Sequence, residues 1–280
     1  MVCHLLLHRR NPCISIFFMV KKMIHQARFE LPELNINIEG DVLVFDKPYQ
    51  CTSFDLVEKV KKYIRQQENR KHEDAKAECR GDLYGRPNAE PKERNEKRKK
   101  VKVGHAGTLD PLATGVMIIC VGAFTKKIEQ YQAQEKEYTG TFMLGATTPC
   151  FDLEKPVDEI FPTEHITEEQ IYNTARTFLG EQEQIPPHFS AVKIDGKRAY
   201  LLARQGKEPE IKPKTITISA FEITRIALPE VDFRIVCSKG TYIRSIARDF
   251  GQKLKSGAHL TALRRTRIGE FRVEEAIVCV

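Results

Sequence analysis

The sequence lacks the patterns on which several common classes of protein depend. None of its eight cysteines forms a CxxC pair, so neither a zinc site nor a disulfide framework is expected, and we predict reduced thiols in a cytoplasmic protein. Neither a P-loop nor a Gly-x-Ser-x-Gly motif is present. A metal site, nucleotide binding by a P-loop and serine hydrolase chemistry are therefore not indicated.

Long apolar runs are also missing. The apolar stretch Ile14–Val20 is too short to span a bilayer, and basic residues follow it in place of the small-residue cleavage site of a signal peptide. We predict that residues 1–35 are disordered, or that they are an extension in front of a true start at Met19 or Met23. No association with a membrane is expected.

The overall composition fits a globular protein with a basic surface. The chain has 280 residues, of which 41% are hydrophobic, and a formal net charge of +7. This length allows one large domain or two small ones, and the charge permits a polyanionic partner such as RNA. From about residue 41 onwards strands and helices alternate in no strict βαβ order, which predicts an α+β fold. The predicted strands are 41–48, 138–144, 216–226, 231–237, 260–268 and 271–280, and the predicted helices are 52–66, 124–131, 167–179 and 242–254.

The segment 67–102 differs from the rest of the chain. It contains few large apolar residues and is dense in Lys, Arg and Glu, so burial cannot offset the entropy lost on ordering it. We predict a charged, flexible insertion. Its basic end, Lys92–Lys102, is either a solvated linker or an arm that contacts phosphates.

A glycine-rich stretch, Gly104–Gly115 (GHAGTLDPLATG), follows the insertion and precedes the apolar run Val116–Val121. This composition predicts a shaped loop in front of a buried strand, with Asp110 as its only carboxylate. Farther along the chain are a strand tyrosine, Tyr138, and a turn that presents Arg244. An arginine beside Asp110 would keep it ionised, as a nucleophile or base requires. Each residue alone also fits a structural role, as a turn cap, a core-edge aromatic or a surface ion pair.

Six blocks of sequence, in order from about residue 41 to the end, resemble the TruB family of pseudouridine synthases. A single block would be modest evidence, whereas the ordered set is highly specific. The blocks are Asp46–Pro48 (DKP), Gly104–Gly115, Lys136–Gly145 (KEYTGTFMLG), Ile185–Tyr200 (IPPHFSAVKIDGKRAY), Cys237–Arg244 (CSKGTYIR) and Gly257–Arg265 (GAHLTALRR).

The resemblance implies a fold and a reaction. The fold would be that of the pseudouridine synthases, with a mixed, mostly antiparallel central sheet flanked by helices and loops. Residues 41–280 would form one catalytic domain, without the C-terminal PUA-type domain that bacterial members often carry. The reaction would convert uridine 55 in the T arm of tRNA to pseudouridine, without a cofactor. We expect a monomer that binds the T stem-loop and needs no protein partner.

The resemblance also implies the site. Asp110 would be the nucleophile or base, Tyr138 would stack on the target base and move a proton, and Arg244 would pair with the carboxylate. His105 would help to flip and stack bases of the T loop. Together with His105, the expected substrate-binding residues are Gly107, Thr108, Lys126, Asp152 and Tyr242.

Two other functions remain open at this point. The same cleft could bind or fold RNA without modifying it, or the enzyme could act on an RNA other than tRNA. The presence of Asp110, Tyr138 and Arg244 together argues against a role in binding alone.

The basic end of the insertion provides a first test. We expect that neutralising Lys97–Lys100 weakens RNA binding at low salt, because fewer counterions are released when fewer phosphates are contacted. The dissociation constant measured at two salt concentrations checks this. An unchanged affinity at low salt would identify the segment as a solvated linker.

Overall fold

The computed structural model describes residues 29–81, 100–190, 192–194, 196–203, 205–206 and 210–279. The predictions for residues 1–28 and 82–99, which include most of the basic arm, lie outside the described residues.

The strands of the described chain form three sheets. Ten strands form a central sheet in the order β14-β1-β3-β12-β4-β11-β10-β7, with β2 paired to β3 and β13 paired to β12. The strands are β1 (Gly40–Lys47), β2 (Val103–His105), β3 (Thr114–Gly122), β4 (Lys136–Leu144), β5 (Ala146–Thr147), β6 (Glu159–Ile160), β7 (Gly180–Gln184), β8 (Lys193–Ile194), β9 (Lys197–Arg198), β10 (Lys214–Ala227), β11 (Glu230–Cys237), β12 (Ala258–Ile268), β13 (Phe271–Arg272) and β14 (Ile277–Val278).

Helices of different lengths surround this sheet. Two short 3₁₀ turns are also present: Ala123–Lys127 lies between β3 and a helix, and Val273–Glu275 lies between β13 and β14. No helix in the described residues is long and apolar enough to cross a membrane. The helices are α1 (Ser53–Gly81), α2 (Ile128–Ala133), α3 (Glu168–Arg176), α4 (Ala199–Ala203) and α5 (Ile243–Lys253).

The predicted α+β class is confirmed. Most neighbouring strands of the central sheet are antiparallel, and the parallel pairs are β1 with β14 and β3 with β12. Strand β3 lies near the middle and is buried on both faces, which explains its unbroken apolar sequence. One face contributes Met117 and Ile119 to a core under α1, and the other contributes Val116 and Ile118 to a second core.

Helix α3 begins where its sequence predicts. Thr167 and Gln170 make a complete capping box, in which each side chain bonds the other residue's backbone. Ile166 and Ile171 both lie in the largest core cluster, and the chain turns at Gly180 with a φ of +93°. The start signals therefore set this helix correctly, whereas its predicted end at residue 179 is wrong, because the helix ends at Arg176 and a short turn leads to Gly180.

Helix α1 is longer than predicted. Its predicted start is confirmed, because Thr52 and Asp55 exchange the expected capping hydrogen bonds of 2.9 and 3.1 Å. Its predicted end at residue 66 is wrong, since the helix continues to Gly81. The extra turns are rich in Lys, Arg, Glu and Ala, which favour helix without requiring burial. The flexible insertion predicted for 67–102 is therefore helical over its first fifteen residues, 67–81.

The N-terminal segment also extends farther into the fold than predicted. Residues 29–35, which we expected to lie outside the folded body, pack against α1. The Phe29 ring is buried beneath the ammonium of Lys59, 3.7 Å from its centroid, and the Tyr63 hydroxyl donates to Leu34 O at 3.0 Å. A short apolar segment with no regular periodicity gave no local signal for this docking.

The closing strand is likewise interrupted. The segment 271–280 was expected to form one strand, but the described part contains only β13 and β14, separated by a 3₁₀ turn over Val273–Glu275. The break lets the chain leave β12, with which β13 pairs, and add β14 beside β1 at one edge of the sheet.

Gly115, near the start of β3, lies very close to the backbone of the neighbouring strand β12. Gly115 has a φ of +107°, and it pairs with Arg265 of β12. A Cβ atom on Gly115 would lie 2.1 Å from Arg265 O, which is an impossible contact. Glycine is therefore required here both for the backbone conformation and for the approach of β12.

Comparing Gly115→Ala with Gly180→Ala separates the backbone requirement from the steric one. Gly180 has a similar positive φ but no atom within 4 Å of its Cβ position, so Gly180→Ala reports the backbone strain alone. We expect a loss in the free energy of unfolding of about 1 kcal/mol for Gly180→Ala and more than about 3 kcal/mol for Gly115→Ala. Urea unfolding measures both, and equal losses would contradict the steric argument.

Candidate active site

The loop between β2 and β3, residues 106–113, carries Asp110. The backbone N–H of Ala106 donates to Ile118 O at 2.9 Å, and that of Ala113 donates to Asp110 O at 3.1 Å. Leu109 is buried while the Asp110 side chain is 34% exposed. The turn is thus closed through the main-chain carbonyl of Asp110, which leaves its carboxylate available for other partners.

The beginning of α1 supports the loop from one side. The Ser53 hydroxyl donates to Leu109 O at 3.0 Å and accepts from Leu109 N at 2.9 Å. The buried Lys47 ammonium donates to Cys51 O at 2.6 Å and to Pro111 O at 3.4 Å. Burial lowers the pKa of Lys47 to about 8. These contacts hold the two residues that flank Asp110.

Strand β12 supports the loop from the other side through Arg265. Its guanidinium donates to Val116 O at 2.8 Å, to Thr108 O at 3.3 Å and to Gly107 O at 3.4 Å. Arg265 is only 1% exposed. The loop therefore lies between a serine on one element and a buried arginine on another.

The Asp110 carboxylate meets Arg244 from the first turn of α5. Arg244 Nε lies 2.9 Å from Asp110 Oδ2, and Nη2 donates to Oδ1 at 3.2 Å. The Arg244 side chain is 5% exposed. A carboxylate that is partly open to solvent is therefore paired with a cation that is almost fully enclosed.

Further acceptors surround the Arg244 guanidinium. It donates to Cys150 O at 3.2 Å and to Phe189 O at 2.9 Å, and its Nε lies 3.6 Å from Asp152 Oδ2. Burial by itself would lower the pKa of Arg244, but the two carboxylates raise it above its ordinary value. Arg244 is therefore a fixed positive charge beside Asp110.

Asp152 is positioned by a tight turn. The Thr148 hydroxyl donates to Asp152 O at 2.7 Å, and the N–H of Glu154 donates to Asp152 Oδ1 at 3.0 Å. Phe151 adopts a φ of +62° in this turn, and its carbonyl accepts from Leu260 N of β12 at 3.0 Å. Asp152 is thereby brought to the same arginine as Asp110.

Two tyrosines border the site. Burial raises the pKa of the Tyr138 phenol, Arg265 opposes this shift, and Asp110 adds to it. Burial also raises the pKa of Tyr242, with Ser190 opposing and Asp110 again adding. Both phenols therefore lie within the electrostatic reach of Asp110 and stay protonated at neutral pH.

The other predicted substrate-binding residues divide into two groups. His105, Gly107 and Thr108 lie on the strand and loop that lead to Asp110, and burial lowers the pKa of His105, whose Nδ1 is buried without a hydrogen-bond partner. Lys126 is instead exposed in the 3₁₀ turn beyond the far end of β3. Lys126 does not line the pocket that contains Asp110, and its role in binding the RNA stays a prediction.

Asp110, Asp152 and Arg244 line one open pocket with apolar walls. No cluster of His, Cys, Asp and Glu suited to a metal ion occurs among the described residues. The arrangement offers one accessible carboxylate, a fixed cation and buried phenols, which suits proton transfer or nucleophilic attack on a planar ring. The walls are formed by Leu112, Ala113, Leu153 and the β12 residues Leu260, Thr261, Ala262 and Leu263.

Sequence reasoning missed Ser53, Lys47 and Arg265 as supports of the loop. Arg265 did have a signal, because consecutive residues of a strand point to opposite faces of a sheet. Of the adjacent pair Arg264 and Arg265, one must therefore point inwards. Ser53 had no such signal, since its partner is 56 residues away.

Two family models together match the chain from residue 94 to residue 279. Residues 94–243 match the N-terminal domain of the TruB family pseudouridylate synthases, and residues 244–279 match the tRNA pseudouridylate synthase B C-terminal domain. Strand β12, from the second match, lies between β3 and β4, from the first. The two matched regions therefore share one sheet.

Curated proteins are similar to this chain over most of their length. A Flavobacterium johnsoniae protein named tRNA pseudouridine synthase B is 53% identical over 240 residues, covering 86% of this chain and 93% of the relative. A protein of the same name from Phocaeicola vulgatus is 52% identical over 239 residues, covering 85% and 90%.

Solved structures share the fold. A chain in the crystal structure of a Cbf5-Nop10-Gar1 complex has a TM-score of 0.56 and 25% identity. The match covers 90% of this chain and 57% of that longer chain.

The sheet, the loop carboxylate with its arginine and the family match define a pseudouridylate synthase. Within that class, the chain belongs to the TruB family. The resemblance inferred from the six sequence blocks is thereby confirmed.

The Ser53 bridge can be tested by removing its hydroxyl. Ser53→Ala leaves the buried N–H and C=O of Leu109 without this partner, so we expect a loss in the free energy of unfolding of about 2–4 kcal/mol. The matched control is Ser238→Ala, which removes a single exposed acceptor for Thr217 N and should cost about 0.5 kcal/mol. Urea unfolding compares them, and losses of the same size would show that Ser53 does not anchor the loop.

Proposed function

We propose that this chain converts uridine to pseudouridine in tRNA, at position 55 of the T arm. The observation that carries the proposal is the ion pair of Asp110 and Arg244 at the rim of an open pocket, in a chain of the TruB family. The names of the two relatives support tRNA as the substrate class. Residues 41–280 act as one catalytic domain, and the chain works as a monomer.

The reaction is an isomerisation, so atoms and electrons balance within the nucleotide. The bond from C1′ to N1 breaks, the uracil turns, a new bond from C1′ to C5 forms, and the proton on C5 is replaced by one on N1. Nothing is oxidised or reduced, so the residues must supply only a carboxylate and proton transfer. We assign Asp110 as the carboxylate, acting as nucleophile or base, and Tyr138 as the phenol beside the turning ring.

Arg244 has a defined part in this scheme. Its charge is buried and fixed by Cys150 O and Phe189 O, so it does not need to reorganise when the substrate arrives. It orients the Asp110 carboxylate towards the open side of the pocket. Asp152 adds a second negative charge near the same Nε atom, at 3.6 Å.

The target base must leave the folded T loop to reach this pocket. Extrusion of a base costs a few kcal/mol, which stacking on aromatic and imidazole rings offsets in part. His105 and Tyr138 are assigned to that stacking, and Gly107 and Thr108 to close approach of the RNA backbone. Tyr242 forms the adjoining wall, and Lys126 contacts RNA outside the pocket.

Exchanging the carboxylate for an amide tests the chemistry. Asp110→Asn keeps the size of the side chain but removes the charge, and we expect pseudouridine formation to fall by on the order of 10³-fold or more. The exposed Asp158, which accepts from Thr147 Oγ1, provides the control Asp158→Asn, with unchanged activity expected. Tritium release from C5-labelled tRNA measures the rate.

The same assay decides among the alternatives. Pseudouridine formation by Asp110→Asn at the wild-type rate would overturn the assigned chemistry. A tRNA transcript with cytidine at position 55 should give no product, and product from that transcript would place the target elsewhere. A wild-type protein that binds tRNA but forms no pseudouridine would favour the binding or folding role.

A further inference from the structure

Arg265 is a buried cation that is not neutralised by a carboxylate. Among the described residues, its guanidinium forms no ion pair, and it is the largest of the fully buried side chains. Enclosing an isolated charge is strongly unfavourable unless dipoles or counter-charges surround it. Its environment must therefore contain groups that stabilise it. Three carbonyl oxygens accept its hydrogen bonds, and the Tyr138 phenol also interacts with it.

All three carbonyls belong to the loop that carries Asp110 or to its exit. Gly107 and Thr108 precede Asp110, and Val116 follows it at the start of β3. Carbonyl dipoles stabilise a guanidinium only while their oxygen atoms point at it. A movement of the loop away from β12 would leave Nη1 and Nη2 of the enclosed guanidinium without the Gly107 and Thr108 carbonyls, and only the bond from Nε to Val116 O would remain.

The backbone of Arg265 also links the exit of the loop to strand β4. It pairs with Gly115 across the parallel contact to β3 and with Tyr138 across the antiparallel contact to β4. One residue thus joins both ends of the loop, through its side chain and its main chain, to the strand that holds the active-site phenol.

We propose that Arg265 is a positioning residue that fixes the Asp110 loop in its reactive geometry over Tyr138. The proposal rests on the proposed function only for its kinetic consequence. The guanidinium is suited to this role because its planar fork directs several N–H groups at once. A lysine keeps the charge but presents a compact ammonium, so it cannot reach all three carbonyls in the same geometry.

The neighbouring Arg264 provides a matched control. It lies on the other face of β12, is 40% exposed, and donates to both oxygens of Asp46, at 3.1 and 2.6 Å. Arg264 also donates to Thr114 Oγ1 at 3.1 Å. Arg264→Lys therefore makes the same exchange one residue away, at a partly exposed ion pair that does not contact the carbonyls of the loop.

The first experiment measures hydrogen exchange of the full chain by mass spectrometry. For Arg265→Lys we expect exchange of the amides in residues 106–113 to rise by about tenfold or more, while β1, α5 and β11 keep the wild-type rates. Arg264→Lys should leave the loop amides unchanged. This readout does not depend on activity, so it tests the positioning role even if the proposed function fails.

The second experiment measures pseudouridine formation by the same variants. We expect kcat of Arg265→Lys to fall by about 10- to 100-fold with KM within about threefold of wild type, because the loop is misplaced while the RNA-binding surface is retained. Arg264→Lys should keep both constants. Wild-type inactivity would count against the proposed function alone.

Three results would overturn the positioning role. One is unchanged loop exchange in Arg265→Lys. Another is exchange raised across the whole sheet, or a variant that does not fold, since either would make the arginine a requirement of the fold as a whole. The third is a faster-exchanging loop with wild-type kcat, which would show that its placement does not limit the reaction.

Discussion

The close contact between β3 and β12 at Gly115 and Arg265 is the constraint on which the site depends. It is one of only two parallel pairings in the central sheet of the described chain, and a side chain on Gly115 would prevent it. The contact brings the guanidinium of Arg265 under the loop, where the carbonyls of Gly107 and Thr108 surround it. Without this contact the loop would have no support from β12.

The three charged side chains of the site differ in how much of each is exposed to solvent. Arg265 is fully enclosed beneath the loop, Arg244 is nearly enclosed beside it, and Asp110 is one-third exposed at the pocket. Buried charges stay fixed because any movement would separate a buried charged group from its partners. The exposed carboxylate can therefore be held in one orientation while a substrate approaches from the open side.

Local sequence patterns predicted the elements whose signals lie within a few residues. The capping boxes at Thr52 and Thr167 and the apolar run of β3 all appear as expected. Errors arose where the signal was weak or distant. The sequence of α1 after residue 66 has no apolar stripe, so it gave no periodic signal for helix. The docking of Phe29 depends on α1, which is distant in sequence.

The sequence by itself determined the α+β class, the loop with its single carboxylate at Asp110 and, through the six ordered blocks, the family. Only the tertiary structure decided which residues hold that loop. Strand alternation requires one of Arg264 and Arg265 to face inwards, but the pairing of β12 with β3 selects Arg265. Likewise, Ser53 reaches Leu109 only because α1 packs beside the loop. Such contacts join residues far apart in the chain, and their partners are set by the order of strands in the sheet, which no local pattern encodes.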